Sequence, residues 1–218
     1  MTTSPGRLRL FRLKEYTEAV EETMAADRQR FATLAGQPTA RAIAVPQLFQ
    51  TPPDIAGTMA LRLGDYQPGQ RILEPSAGLG RLYRAARDRS TEAEIVLVEH
   101  APQCAAELYR ETAGDQHVRL VTADFLQCDA VRLGGLFDAV LMNPPFKQGR
   151  DLKHIAHALT LLVPGGRIVA LCYAGPRQRE AFENVNGWTW LDLPAGSFRT
   201  EGTSADVAMI WRDALSVE

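Results

Sequence analysis

The sequence predicts an α/β fold: a doubly wound, mostly parallel sheet with an antiparallel C-terminal strand pair and an N-terminal helical extension. Three observations carry this expectation. Between residues 70 and 171, five short and almost wholly apolar runs alternate with segments of helical pattern, as strands do when helices cover both faces of a parallel sheet. The first of these runs ends in a turn containing two glycines, Gly78 and Gly80, at the position where such a sheet receives ligands. The last two runs, Trp188 to Leu193 and Asp206 to Trp211, have no helix-length segment between them. They should therefore pair antiparallel.

The elements follow in order. Residues 12–35 read as a charged helix, with Leu13, Val20, Met24, Phe31 and Leu34 near helical spacing and Gly36 and Pro38 as its stop. This divides the chain into a helical extension over residues 1–45 and a main domain over residues 46–218. The segment Phe49-Gln50-Thr51-Pro52 then leads into a helix. Pro52 and Pro53 suit a first turn, where a missing N–H costs nothing, and Thr51 is the expected N-cap. The first strand is Arg71 to Leu73, with a helix from Arg81 to Arg87 after the glycine turn. The second strand is Glu94 to Val98, its helix Pro102 to Tyr109, and the third strand Val118 to Val121. Phe137 to Met142 forms the fourth. A helix from Leu152 to Leu162 stops at Pro164-Gly165-Gly166, and Arg167 to Leu171 is the fifth strand.

Composition bounds the function. The chain has 218 residues, 45% hydrophobic and 23% charged, the balance of one globular domain with a real core. No apolar run approaches the roughly 20 residues that span a bilayer, and Met1 to Arg7 lacks the apolar stretch of a secretory signal. A cytoplasmic protein without membrane contact is expected. Cys104, Cys128 and Cys172 are odd in number and lack metal-ligand spacing, so reduced thiols and no metal are expected. The formal net charge of −2 gives no global attraction to nucleic acid. Local basic clusters exist at Arg7 to Lys14, Arg81 to Arg89, Lys147 to Lys153 and Arg177 to Arg179. Each could rim a phosphate-binding surface, although a solvated helix face is the plainer reading of any one cluster.

The strand ends carry the candidate cofactor site. The first strand leads into Glu74-Pro75-Ser76-Ala77-Gly78-Leu79-Gly80. The glycines let backbone approach a ligand closely, but the spacing is not that of the dinucleotide fingerprint, and Glu74 puts a negative charge beside the turn. A carboxylate repels a pyrophosphate and suits a cationic, amino-acid-bearing ligand, which favours S-adenosylmethionine. The second strand ends in Glu99-His100, where a carboxylate accepts from ribose hydroxyls. After the third, Asp124 can accept from an adenine amine and Phe125 can cover the ring. Any one of these acids alone would read as a cap or turn residue. Three at successive strand ends read as one site.

The fourth strand ends in Asn143-Pro144-Pro145-Phe146. An exocyclic amine on an aromatic base is a weak nucleophile, because its lone pair is delocalised into the ring. Two acceptors aimed at its N–H bonds, the Asn143 side-chain oxygen and the Pro144 carbonyl, favour the pyramidal form that attacks, and the prolines stiffen the turn. Phe146 can stack on the target base. The bland alternative, an Asn-Pro turn after a strand, accounts for two of the four residues.

Taken together, the stretch from Leu48 to Trp211 resembles a class I S-adenosylmethionine-dependent methyltransferase of the amino-methylating branch, with a seven-stranded Rossmann-like sheet. The resemblance implies that Asn143 to Phe146 is the catalytic element. It also implies that Phe49, Gln50, Thr51 and Pro52, matching a Phe-x-Thr-Pro segment ahead of the glycine turn, line the methionine end of the cofactor. The Pro-Pro-Phe form and this motif order resemble DNA adenine-N6 enzymes most closely. RNA, at guanine N2 or adenine N6, is the alternative carrier; a protein glutamine or a non-catalytic binding module stands further off. Lys147 and Phe198 are the other expected substrate contacts. Phe198 reads equally as a second wall of the base pocket or as a loop aromatic closing the core. The segments after Phe146 are consumed by the helix, the fifth strand and the terminal pair. Target reading therefore falls to the loops at Lys147 to Lys153 and Gly175 to Arg179, to the N-terminal arm, to a specificity partner or to a second copy of the chain.

Overall fold

The computed structural model of the chain describes residues 49–212. The expected helix over residues 12–35, the domain boundary after residue 45 and the first basic cluster lie outside them.

Seven strands form one sheet in the order β3-β2-β1-β4-β5-β7-β6. These are β1 (Arg71–Glu74), β2 (Glu94–Glu99), β3 (Val118–Thr122), β4 (Phe137–Met142), β5 (Leu162–Tyr173), β6 (Thr189–Asp192) and β7 (Val207–Arg212). β1 to β5 pair in parallel, while β7 runs antiparallel to both β5 and β6. The strand order reverses at β1 and β4, which opens a crevice beyond their carboxyl ends. The predicted parallel sheet and antiparallel terminal pair are both present.

Helices cover both faces. The helices are α1 (Pro53–Leu63), α2 (Arg81–Arg87), α3 (Pro102–Thr112), α4 (Ala130–Leu133), α5 (Arg150–Leu159) and α6 (Pro176–Phe182). Alternation along each strand sends successive side chains to opposite faces, so the core divides in two. Ile72, Leu97, Leu141, Val169 and Leu171 pack with Met59 and Leu63 of α1, Leu82 of α2 and Leu108 of α3. Leu73, Val98, Val140, Met142 and Ala170 pack with Leu152, Ile155 and Leu159 of α5 and Phe182 of α6. All of these side chains are buried.

Three expectations need correction. Thr51 does not cap α1: Pro52 holds the cap position and no side chain caps this helix. The helix after the Asn-Pro-Pro-Phe motif starts at Arg150 and ends at Leu159, and β5 begins at Leu162 rather than Arg167. Pro164-Gly165-Gly166 sits inside that strand, because a register irregularity between Phe137 and Ala139 of β4 absorbs the extra residues. Finally, residues 175–179 are not a loop. Gly175 is the N-cap of α6, and Pro176 begins it, as proline favours.

Candidate active site at the carboxyl ends of β1 and β4

The glycine turn after β1 is bent by Gly78 (φ 57°) and Gly80 (φ 76°), a left-handed backbone that favours glycine. At Gly80 the space also demands it, since a Cβ there would stand 2.8 Å from Leu108 Cδ2. Glu99, at the end of β2, draws the turn onto the sheet. Its Oε2 accepts from the Gly78 N–H at 2.7 Å and its Oε1 from the Ala101 N–H at 2.6 Å, while the Ala77 N–H donates to the Val98 carbonyl at 3.0 Å. Pro75 and Ala77 are buried, Ser76 is half-buried, and His100 next to Glu99 is exposed.

Glu74 is buried under this turn, and its Oε2 has no hydrogen-bond partner. Burial pushes its carboxyl well above the usual carboxylate range, Arg84 draws it partly back and Glu99 adds to the rise. A cation brought beside a carboxyl placed this way would favour its charged form.

Asn143 follows β4. Its Nδ2 donates to the Phe49 carbonyl and to Thr51 Oγ1, each at 3.2 Å. Gln50 Oε1 accepts from Arg81 Nη2 at 3.5 Å. The segment Phe49 to Pro52 thus bridges the first residue of α2 and the Asn-Pro-Pro-Phe motif, although more than 90 residues separate Phe49 from Asn143 along the chain. With both Nδ2 hydrogens directed at this segment, Oδ1 is the half of the amide left to accept. Pro144 is buried, Pro145 and Lys147 are exposed, and Phe146 is half-buried against the α1–α3 core. The following Gln148 adopts a left-handed backbone (φ 57°), a conformation that costs a non-glycine residue about 1 kcal/mol or more and that concentrates at functional turns.

Asp124 has a structural partner of its own, and two of the expected aromatics do not stand open to this crevice. Asp124 caps the 3₁₀ turn Phe125–Gln127, its Oδ1 accepting from the Leu126 N–H at 3.1 Å. Phe125 is only 2% exposed, edge-on to His157 with ring centroids 4.7 Å apart, so its ring fills the α5 core rather than standing open to a ligand. Phe198 is 0% exposed within the other core. It closes the end of the core and forms no open pocket wall.

Sequence reading missed two buried polar residues of α5. Asp151 Oδ2 accepts from the Tyr173 N–H at 3.1 Å and from Gln178 Nε2 at 2.8 Å. Burial pushes its carboxyl up to about 6 against these hydrogen bonds. His154 Nδ1 lies 3.5 Å from Ser76 Oγ in the glycine turn, and its Nε2 is buried without a partner. Burial first, and then Arg150, push His154 down to about 4. The signal was partial: Asp151 borders the apolar stripe of Leu152, Ile155 and Leu159, where a polar residue has to be accommodated, whereas His154 lies off that stripe and is covered by packing against Phe125.

Residues 50–187 match the family model of the methyltransferase small domain. The chain belongs to the methyltransferase small domain family. It is thus a methyltransferase domain with S-adenosylmethionine as methyl donor, on a seven-stranded Rossmann-like sheet. Two relatives from Thermus thermophilus are similar over part of their length. A demethylmenaquinone methyltransferase is 32% identical over 111 residues, 49% of this chain and 49% of that protein. A tRNA (guanine(6)-N2)-methyltransferase is 33% identical over 128 residues, 51% of this chain and 36% of that protein. The chain therefore matches only about half and about a third of these relatives. Among solved structures, 23S rRNA methyltransferase ErmE superposes with a TM-score of 0.57 at 17% identity, covering 76% of this chain and 70% of that one. That similarity concerns the fold.

The residues of this methyltransferase domain fit the donor. S-adenosylmethionine carries a sulfonium and an α-ammonium, and the buried Glu74 Oε2 is an acceptor without a donor. Among the described residues no group of three or more His, Cys, Asp or Glu could hold a metal ion, and no helix is long and apolar enough to cross a membrane.

Proposed function

We propose that this domain methylates an exocyclic amine on a base of nucleic acid. The two relatives share methyl transfer but not the acceptor, so the acceptor is argued from the site. The observation that carries the reading is the fixed amide of Asn143: Nδ2 is committed to Phe49 and Thr51, which leaves Oδ1 as an acceptor on the carboxyl edge of the sheet. An acceptor held in place by the fold needs no reorganisation as the amine pyramidalises. The Pro144 carbonyl supplies the second acceptor and Phe146 a face for the ring. Bound S-adenosylmethionine supplies an electrophilic methyl on its sulfonium. The amine would take that methyl, with the donor's thioether as leaving group, and release one proton to water. Glu74 would face the positive charge of the donor. Glu99 holds the glycine turn in place, and its remaining lone pairs and His100 would meet the ribose. Asp124 would receive the adenine amine, while Gln50, Thr51 and Pro52 would line the methionine end together with Ser76 and the backbone of Gly78.

RNA is the first carrier to test, with guanine N2 as the target, because the tRNA relative shares 33% identity over the matched stretch. Adenine N6 in DNA is the second reading, supported by the order of Phe49 to Pro52 ahead of the glycine turn and the Pro-Pro-Phe form of the motif. Duplex DNA would require the base to be flipped out of its stack. Transfer of labelled methyl to separate pools of RNA, DNA and protein, followed by nucleoside analysis, tests this. Label recovered as N2-methylguanine in RNA or N6-methyladenine in DNA chooses between the two carriers. Label confined to protein would overturn the nucleic-acid reading.

A further inference from the structure

Tyr173 is the last residue of β5 and a large aromatic that stays 42% exposed. Isolated exposed aromatics are ordinary on protein surfaces, so the case rests on where this one stands and what holds it. Val169 and Leu171 of β5 belong to the core under α1, α2 and α3, and Ala170 and Cys172 to the other. Alternation puts Tyr173 on the α1 face. In β4, Ala139 and Leu141 belong to that same core, so Asn143 rises from the same face, as its bonds to Phe49 and Thr51 require. The strands are parallel neighbours with Met142 opposite Ala170. Tyr173 therefore stands one strand over from Asn143 and two residues further out, about 5 Å across and about 7 Å along the strand direction.

Two contacts fix it there. Its N–H donates to Asp151 Oδ2 at 3.1 Å, and Asp151 also accepts from Gln178 of α6. One buried carboxylate thus ties the helix that leaves the Asn-Pro-Pro-Phe motif to the end of β5. The Tyr173 ring lies over Gly175, where a Cβ would meet Cε1 at 2.6 Å and Cδ1 at 2.7 Å. Gly175 has φ −97° and ψ 169°, an extended backbone open to any residue. The ring, not the backbone, is what excludes a side chain there.

We propose that Tyr173 is a wall of the acceptor pocket, stacking with Phe146 on the planar ring that carries the amine. This takes the place that the sequence offered to Phe198, and it rests on the reading that the acceptor is a base amine. A rigid aromatic face contributes stacking without reading hydrogen bonds. Tyr173 therefore sets tolerance for a planar ring, not a choice among bases.

Initial rates of labelled methyl transfer to total tRNA, ribosomal RNA and genomic DNA test this, using the full chain as wild type, Tyr173→Phe, Tyr173→Ala and Gly175→Ala. Tyr173→Phe should keep wild-type kinetics. Tyr173→Ala should lower kcat/KM for the accepted pool by roughly 5- to 150-fold, the loss of one base–aromatic stack, with S-adenosylmethionine affinity and melting temperature unchanged. Gly175→Ala, which displaces the ring, should fall between them. Wild-type rates for Tyr173→Ala would overturn the wall while leaving the amine reading in place. So would equal losses for Tyr173→Phe and Tyr173→Ala, or a loss accompanied by weaker cofactor binding. A wild-type chain that methylates none of the three pools would overturn the nucleic-acid reading itself and this proposal with it.

Discussion

The two ends of the sheet treat charge in opposite ways. At the amino end the half-buried charges of Arg71, Glu94, Arg87 and Asp115 are paired. Arg71 holds Glu94 through two bonds of 2.9 and 3.0 Å and donates to the Leu133 and Leu136 carbonyls, and its own N–H donates to Asp138. Arg87 donates to Asp115 at 2.7 Å and to the carbonyls of Ser90, Ala93 and His117. Burial works to raise Asp115, but the Tyr83 hydroxyl, the His117 N–H and Arg87 outweigh it and hold the carboxyl below its ordinary value. At the carboxyl end, Glu74 Oε2 and His154 Nε2 are buried without partners, and burial shifts both groups toward their neutral forms. Unsatisfied buried polar atoms are costly. Their place beside the glycine turn fits the proposal that a ligand completes this edge, whereas the paired charges of the other edge serve stability.

Breaking the amino edge should give the largest effect on folding. Arg87→Ala takes the cation from the half-buried Asp115, which keeps the Tyr83 hydroxyl and the His117 N–H, and loses three bonds to carbonyls. Loss of charge-assisted bonds of this kind typically costs about 1.5 to 3 kcal/mol. Urea denaturation should show that loss, while S-adenosylmethionine affinity at the remaining folded fraction stays unchanged.

The pH dependence should sharpen the contrast. An unfolded histidine takes up its proton near pH 6.5, about the ordinary value, whereas His154 in the folded chain holds off to about 4. The unfolded state therefore binds more protons between these values. The stability owed to neutral His154 is complete above the upper value and is lost as pH falls toward the lower, by on the order of 3 kcal/mol. Asp151 works in the opposite sense: its carboxyl is raised to about 6, so its contribution is complete at low pH and lost as pH rises through that value. The difference between wild type and His154→Gln in stability against pH isolates the histidine, and a flat difference would show that His154 is solvated.

Glu74→Gln should give the smallest effect on folding and a selective one on the ligand. Burial already works against the charged form of Glu74, so an isosteric amide should change stability little. Losing the group that can turn anionic beside the donor's cation should weaken S-adenosylmethionine binding by roughly tenfold, about 1.4 kcal/mol. Calorimetry checks both, and unchanged affinity would remove Glu74 from the cofactor site.

The contrast explains what the sequence made legible. The strands and the parallel and antiparallel parts of the sheet were readable because apolar runs between helices admit few arrangements, and the positions of Glu74, Glu99 and Asp124 at or just past the ends of β1, β2 and β3 followed from the same runs. The role of Thr51 was not, because its partner Asn143 lies 92 residues away, and a hydroxyl before two prolines reads locally as a cap. Phe125 was expected to cover a ligand ring and Phe198 was left between a pocket wall and a core-closing aromatic, because an aromatic after a strand or in a loop carries no mark of which way it turns; packing turned both inward. Tyr173 passed unnoticed because the strand was ended two residues early, so its face was never assigned. Asp151 was read as part of a basic loop, since the helix was started two residues late; His154 fell inside the expected helix, but its face was left unassigned.

The central claim is that Asn143 acts on the acceptor amine and not on the donor. Its most direct test pairs single-turnover methyl transfer with S-adenosylmethionine calorimetry on Asn143→Ala, using whichever nucleic-acid pool the wild type methylates. The expected result is a loss of transfer on the order of 100- to 1,000-fold, as for removal of one preorganised polar group, with cofactor affinity close to wild type. Equal loss of both, in step with a lower melting temperature, would contradict the account and leave Asn143 as a structural tie between β4 and the Phe49–Pro52 segment.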